Sequence, residues 1–340
     1  QAFEGGTIPI YWASNNPEKE LINENKYIFC NIDNSDVTNI IDAINNPNQY
    51  LKGDLFKPQG KYIINNYYNL LTWKIKEKLD LVPKQKIHGI SYASRHFTNR
   101  FDSINSQGKS CGFFDNFECY NEDNVSEDFK EKVKEVWDMS ERGAGYWIWK
   151  PKIILDKLEE INDNDILVYI DSGCTINNSL ESKNRFNQYI NMVNSHWTGF
   201  LRFELTHKDS DYTNKYCVEY LSKYFGTDFN LYMDSFQLLS TILIIRKNNF
   251  TIDFFKKHVE IIIKNPKIHT DIYTKNNEIH RHDQSMMSLL YKHMGGSLTI
   301  GDETYFKNFG SPESKKYPFW ATRLRGKPRY KSKLGKNKTN

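Results

Sequence analysis

Asp171 closes a short apolar run, Asp165–Ile170 (D-I-L-V-Y-I), and is followed at once by Ser172 and Gly173. A carboxylate at the end of a buried strand faces a cleft, and Gly173 lets a ligand approach the backbone closely. Asp is a hard oxygen donor suited to Mg2+ or Mn2+ bridging a diphosphate. The plainer reading is an Asx turn at a strand end. One helix upstream, Arg142-Gly143-Ala144-Gly145-Tyr146-Trp147-Ile148-Trp149-Lys150-Pro151 brings together glycines, a Tyr, two indoles and two cations. Aromatic planes stack on a base or sugar, and Arg or Lys pairs with phosphates. A packed aromatic corner is the competing reading; it suits Tyr146 and Trp147 better than Arg142 and Lys150. The third candidate is His280-Arg281-His282-Asp283-Gln284-Ser285. Either Asp283 and Gln284 hold an acceptor hydroxyl while His282 binds metal or phosphate, or Asp283 is the N-cap of the helix that follows.

These residues need elements to position them. Ile87–Ala93 reads as a buried strand, followed by strands at Asp165–Ile170, Gly199–Leu205 and Leu239–Ile245. Phe129, Val133 and Val136 recur at helical spacing and predict one amphipathic helix over Ser126–Met139. Pro151 suits the first turn of another helix, whose apolar face is Ile154, Leu158 and Ile161. Helices are also expected at Ile252–Lys264 and Gln284–Lys292. Alternating strands and helices predict an α/β fold with a mostly parallel, Rossmann-like sheet flanked by helices. Ligands bind beyond the carboxyl ends of such strands, which puts Ser91–Arg95 and Asp171–Cys174 at one rim.

Ahead of this region, Gly5–Trp12 is a glycine turn entering a short apolar strand, and helices are expected around Val37–Ile44 and Tyr68–Leu79. A hinge at Pro83 divides the chain into a small α/β segment over 1–82, a larger domain over 83–326 and a basic, flexible tail over 327–340.

The composition narrows the classes. A net charge of +4 is too small to imply a polyanion partner for the whole chain, so no nucleic acid is expected; the basic run from Arg323 to Lys338 reads as a solvated tail. Five cysteines without a C-x-x-C pair argue against a disulfide framework and for a reduced, cytoplasmic setting. No apolar run is long enough to span a bilayer. The chain opens at Gln1 inside what reads as a working domain, so a longer parent protein is expected.

Three segments, R-G-x-G-Y-W-x-W-K-P at Arg142–Pro151, D-I-L-V-Y-I-D-S-G-C at Asp165–Cys174 and H-R-H-D-Q-S at His280–Ser285, resemble in content, order and spacing the GT-A glycosyltransferases of bacterial polysaccharide loci and large DNA viruses. The resemblance covers about the last two-thirds of the chain. It implies a nucleoside-diphosphate sugar donor held by Tyr92, Ser94, Arg142, Tyr146, Lys150, Asp171, Ser172, Gly173, Arg323 and Arg325, with Asp283 and Gln284 as catalytic residues and a glycan or other hydroxyl acceptor. It also implies Mn2+ or Mg2+ on Asp171 and His282. One departure bears on the metal: the family's D-x-D is here Asp171-Ser172-Gly173, so the second acid is missing. Either Asp171 carries the metal with His282 or water, or cations such as Arg323 and Arg325 neutralise the leaving diphosphate. If the source is viral, the expected compartment is the host cytoplasm.

Ala2–Trp12 and Tyr27–Asn31 resemble the end of a family 10 α1,3-fucosyltransferase domain whose donor-binding segment is absent. That resemblance implies a parent protein with further transferase domains. Two rival functions remain: a catalytically inactive glycan- or nucleotide-sugar-binding relative, motivated by the missing second acid, and a nucleic-acid binder, motivated by the basic run and the aromatic content.

Overall fold

The computed structural model describes residues 6–13, 21–31, 37–57, 60–94, 98–139, 142–275 and 278–325. The expected 327–340 tail, Arg95 and the opening Ala2-Phe3-Glu4 lie outside them. The chain divides into two units, Gln1–Thr72 and Trp73–Asn340, upstream of Pro83.

In the first unit, β1 (Ile10–Ala13) and β2 (Ile28–Asn31) pair in parallel. Alternate residues of β2 point inward, and Ile28 and Cys30 pack with Ala43 of α1 (Thr38–Asn45). The helix α2 (Gly60–Lys78) begins in this unit and runs past its end at Thr72.

The second unit is built on one sheet. Its strands are β3 (Ile87–Tyr92), β4 (Asn116–Tyr120), β5 (Ile166–Asp171), β7 (Phe200–Lys208), β8 (Phe236–Leu238), β9 (Ile242–Arg246) and β10 (Thr299–Gly301). The order across the sheet is β10-β7-β9-β5-β3-β4, with β8 beside β7. Strands β3, β4 and β5 run parallel, as do β7 and β10; β9 runs against both β5 and β7, and β8 against β7. This is the expected α/β architecture with a mostly parallel sheet.

Helices cover both faces because side chains alternate along each strand. Ile166, Val168 and Ile170 of β5, Leu201 and Phe203 of β7 and Ile242 and Ile244 of β9 join one core with Ile104 of α3 (Thr98–Ser110) and Phe186, Tyr189 and Val193 of α5 (Leu180–Ser195). Phe200 turns the other way, against Phe254 and Phe255 of α7 (Asn249–Lys264) and Tyr291 of α8 (Asp283–His293). On that second face α7 packs on α4 (Lys150–Glu160), and α6 (Lys215–Phe225) lies beyond. Full burial of Ile166–Ile170 and Ile242–Ile245 explains why these strands read as unbroken apolar runs.

One expected helix differs. Ser126–Met139 forms two short turns, Glu127–Lys132 and Lys134–Trp137, because Val133 leaves helical geometry at φ −114° and ψ 15°. Phe129, Val133 and Val136 are nevertheless all buried, so the apolar spacing marked the right face.

Two further strands shape the site. The pair β6 (Thr175–Ile176) and β11 (Phe319–Trp320) is antiparallel and folds the C-terminal segment back over the loop after β5. Among the described residues, no helix is long and apolar enough to cross a membrane, and all five cysteines are buried and free.

Candidate active site

Tyr92 and Asp171 are register partners at the carboxyl ends of β3 and β5, so both expected rim positions meet. The loop after Asp171 is clamped from two sides. Arg100 of α3 donates from Nε to Ser172 O at 2.8 Å and from Nη2 to Cys174 O at 2.9 Å. From the C-terminal segment, Leu324 N and the Thr322 hydroxyl each reach Gly173 O at 2.9 Å. A Cβ on Gly173 would sit 3.2 Å from Leu324 O and 3.6 Å from Arg323 Cα. The close approach that Gly173 permits is made here by the chain's own backbone.

The Arg142–Pro151 segment enters the site through an uncommon backbone. Gly143, Ala144, Gly145, Tyr146 and Trp147 have φ of 60°, 48°, 83°, 56° and 57°. Left-handed backbone costs an L-residue roughly 1–2 kcal/mol, so such runs persist only where the surroundings impose them. Here Trp149 Nε1 donates to Gly143 O at 2.8 Å, and a Cβ on Gly143 would lie 2.4 Å from the Trp147 ring. The turn lays Trp149 flat on Tyr92, ring centroids 3.6 Å apart and 18° between planes. Trp147 stacks on His282 at 5.3 Å. Tyr146 packs on the His282 ring at 5.1 Å, and from this turn it is Trp147 that lines both clefts described below.

Lys150 begins α4 and is fully buried. Its ammonium forms ion pairs with Asp171 Oδ1 at 3.1 Å and Asp283 Oδ2 at 2.6 Å and donates to Ser240 O at 3.2 Å. The ammonium also lies 5.0 Å from the Tyr169 ring centre, and the Tyr169 hydroxyl donates to Asp171 Oδ1 at 2.5 Å. Burial pulls the Lys150 pKa down, but Asp171 and Asp283 outweigh it and hold the ammonium above its usual value. Burial, opposed by Lys150 and reinforced by Asp171, raises the Asp283 carboxyl above the usual range.

Asp283 is the first residue of α8. The N-cap is His282, at φ 51° and with no side-chain capping bond, so Asp283 does not cap the helix. Gln284 is tied up inside the protein: its Nε2 donates to Gln237 Oε1 at 2.7 Å and its Oε1 accepts from Ser240 N at 3.3 Å. It holds the 237–240 turn against α8 and also lines the second cleft described below.

Two clefts adjoin at this point. The first, about 580 Å3, is lined by Tyr92, Ser94, Trp149, Ser172, Gly173 and Arg325, among others; the second, about 820 Å3, by Lys150, Arg281, His282, Asp283, Gln284 and Tyr305, among others. Arg142, Trp147, Asp171, Thr241, Ala321 and Arg323 line both. Four guanidinium groups (Arg100, Arg142, Arg323 and Arg325) and a single carboxylate, Asp171, line the first cleft. Sequence reasoning missed Arg100, which stands in no motif, and gave no role to Arg281 inside the His280–Ser285 segment; Arg281 stacks on the Tyr212 ring at 3.4 Å.

Both expected metal ligands already have partners within the protein. Asp171 Oδ1 already takes Tyr169 and Lys150. His282 Nδ1 pairs with His269 O at 2.6 Å, and its ring is wedged against Trp147 with Nε2 4.0 Å from Asp271 Oδ1. Among the described residues, no group of three or more His, Cys, Asp or Glu side chains could hold an ion.

No protein-family model matches the chain, and no curated protein matches it. Among solved structures it is similar to a glycosyltransferase involved in glycosylating the major capsid of PBCV-1, at 10% identity over 69% of this chain and 92% of that one, with a TM-score of 0.37. It is also similar to mouse xyloside xylosyltransferase 1, at 7% identity over 64% and 86%, TM-score 0.36. A third likeness is to the galactosyltransferase LgtC bound to donor and acceptor sugar analogues, at 10% identity over 71% and 84%, TM-score 0.33.

Proposed function

We propose that this chain is a glycosyltransferase that moves a sugar from a nucleoside-diphosphate sugar to a hydroxyl of a glycan or similar acceptor. The observation that carries the reading is the junction of two clefts at Asp171, with the buried Lys150–Asp171–Asp283 cluster beneath it. The cleft beside Tyr92 has stacking planes and guanidinium groups for a base and a diphosphate. The cleft beside Asp283 offers a carboxyl of raised basicity to the acceptor. In the transfer, the bond from the anomeric carbon to the diphosphate breaks and its electron pair leaves with the diphosphate. The acceptor oxygen forms the new bond, and its proton passes to Asp283. The resemblance of Arg142–Pro151, Asp165–Cys174 and His280–Ser285 to GT-A transferases supports the same assignment.

The rival, an inactive nucleotide-sugar binder, is favoured by the lone acid in Asp171-Ser172-Gly173. Thermal-shift titration with UDP and GDP, followed by product detection, tests both. A nucleotide that raises the melting temperature of the wild type but not of Arg323→Gln supports the donor cleft, since a ligand selective for the folded state must stabilise it. Stabilisation without any sugar transfer favours the rival.

A further inference from the structure

We infer that Lys150 stands where a divalent cation would otherwise sit, so that the transfer proposed above runs without metal and draws its positive charge from side chains. The inference rests on that transfer reading but uses a separate observation, the oxygen set around one buried ammonium.

Two carboxylates and a backbone carbonyl converge on Lys150 Nζ, at 3.1 Å from Asp171, 2.6 Å from Asp283 and 3.2 Å from Ser240 O. Hard oxygens of this kind, carboxylate and carbonyl, are what Mg2+ and Mn2+ recruit. Here each lies within 3.2 Å of one buried ammonium instead. A dication placed among them would meet Lys150 at contact distance, a like-charge cost that a buried site cannot screen. Removing the ammonium from water is tolerated because both carboxylates share it.

Charge in the donor cleft follows the same logic. A diphosphate leaving group needs its growing negative charge met by fixed positive groups. Lys150 cancels the Asp171 charge that would otherwise repel it. Arg323 and Arg325 then reach the cleft on the segment that pairs with Gly173; Arg142 also lines it, with its Nη1 paired to Asp271 Oδ2 at 2.8 Å. Arg323 is further steadied over the Tyr305 ring, 5.6 Å from its centre. The segment is pinned by Leu324 N to Gly173 O at 2.9 Å, so these guanidinium groups are carried by ordered backbone that touches the Asp171 loop. Gly173, found where a second acid was expected, fits the same account. Its backbone receives the arginine-bearing segment, and the Cβ of an Asp there would lie a tight 3.2 Å from Leu324 O.

The test is calorimetric titration of the full chain with UDP and with GDP, each in excess EDTA and in excess MnCl2, together with an electron paramagnetic resonance titration of the protein alone with Mn2+. The inference expects the better nucleotide to bind with the same affinity, within about twofold, in both buffers, and no protein-bound Mn2+ signal. Arg323→Gln with Arg325→Gln should weaken binding at least about tenfold in EDTA and in Mn2+ alike, the scale of losing charge-assisted contacts. A tenfold or greater loss of nucleotide affinity in EDTA that Mn2+ restores would overturn the inference. One Mn2+ bound per chain by the protein alone would overturn it as well. If neither nucleotide binds in either buffer, the transfer reading fails and takes the donor-cleft part with it, while the Mn2+ titration still decides whether Lys150 excludes a metal.

Discussion

Asp283→Asn separates chemistry from architecture at the centre of the site. The amide keeps an oxygen facing Lys150 but removes one of the two charges that hold it, at 2.6 Å. Breaking a buried ion pair outright costs about 3–5 kcal/mol. Here Asp171 at 3.1 Å and Ser240 O at 3.2 Å remain, so the expected loss is nearer that of one charge-assisted hydrogen bond, about 1.5–3 kcal/mol. In a domain of this size each kcal/mol moves the melting temperature by about 2–4 °C, which gives a drop of roughly 3–12 °C. Loss of a positioned base should lower transfer by about 10²- to 10⁴-fold. The assay is sugar transfer measured well below the variant's own melting temperature, with far-ultraviolet circular dichroism showing that it is folded. Transfer at the wild-type rate under those conditions would refute the catalytic role and leave Asp283 as a partner for Lys150 alone.

Other outcomes follow from the same geometry. Arg100→Ala removes two bonds to Ser172 O and Cys174 O, each worth about 1.5–3 kcal/mol, and should lower both urea stability and nucleotide affinity; unchanged affinity would free the Asp171 loop from its supposed clamp. Gly173→Ala should push the Arg323–Arg325 segment outward and weaken nucleotide binding severalfold in calorimetry, while a β-carbon tolerated at full affinity would contradict the 3.2 Å approach to Leu324 O. Burial lowers the pKa of His258 and His280 to about 3 and also depresses His269 and His282. Their neutral forms are favoured in the folded state, so stability is complete above the unfolded value near 6.5 and falls as pH drops below it, by up to about 1.4 kcal/mol per pH unit for each histidine. Urea midpoints at pH 7 and pH 5, where carboxylates scarcely titrate, should show the fall; equal midpoints would show these rings are protonated in place.

Much of this was legible because it is local. The apolar runs at Ile87–Ala93 and Asp165–Ile170 read as buried strands, and Asp171, closing one of them, read as a rim residue. Pro151 announced a helix start, and α4 does begin at Lys150. What stayed hidden depends on contacts between distant positions. Nothing near Arg100 signals that its guanidinium will hold the backbone of residues 172 and 174. The five left-handed residues at 143–147 include Ala, Tyr and Trp, types that carry no local preference for that geometry and are held there by Trp149 and His282. Asp283 looked like a cap because its type suits one, yet the chain enters the helix at His282 and the carboxylate goes to Lys150. Nothing near Gly173 signals that residues 323 and 324, about 150 positions along the chain, pack against it.

The most direct measurement is release of nucleoside diphosphate from a panel of nucleoside-diphosphate sugars, with and without candidate hydroxyl acceptors, by the wild type and by Asp171→Ala. The account predicts that at least one sugar donor is turned over, that an acceptor accelerates the release, and that Asp171→Ala abolishes it while the protein remains folded. Turnover undiminished in Asp171→Ala, or no turnover of any donor by a protein that binds none of them, would contradict it.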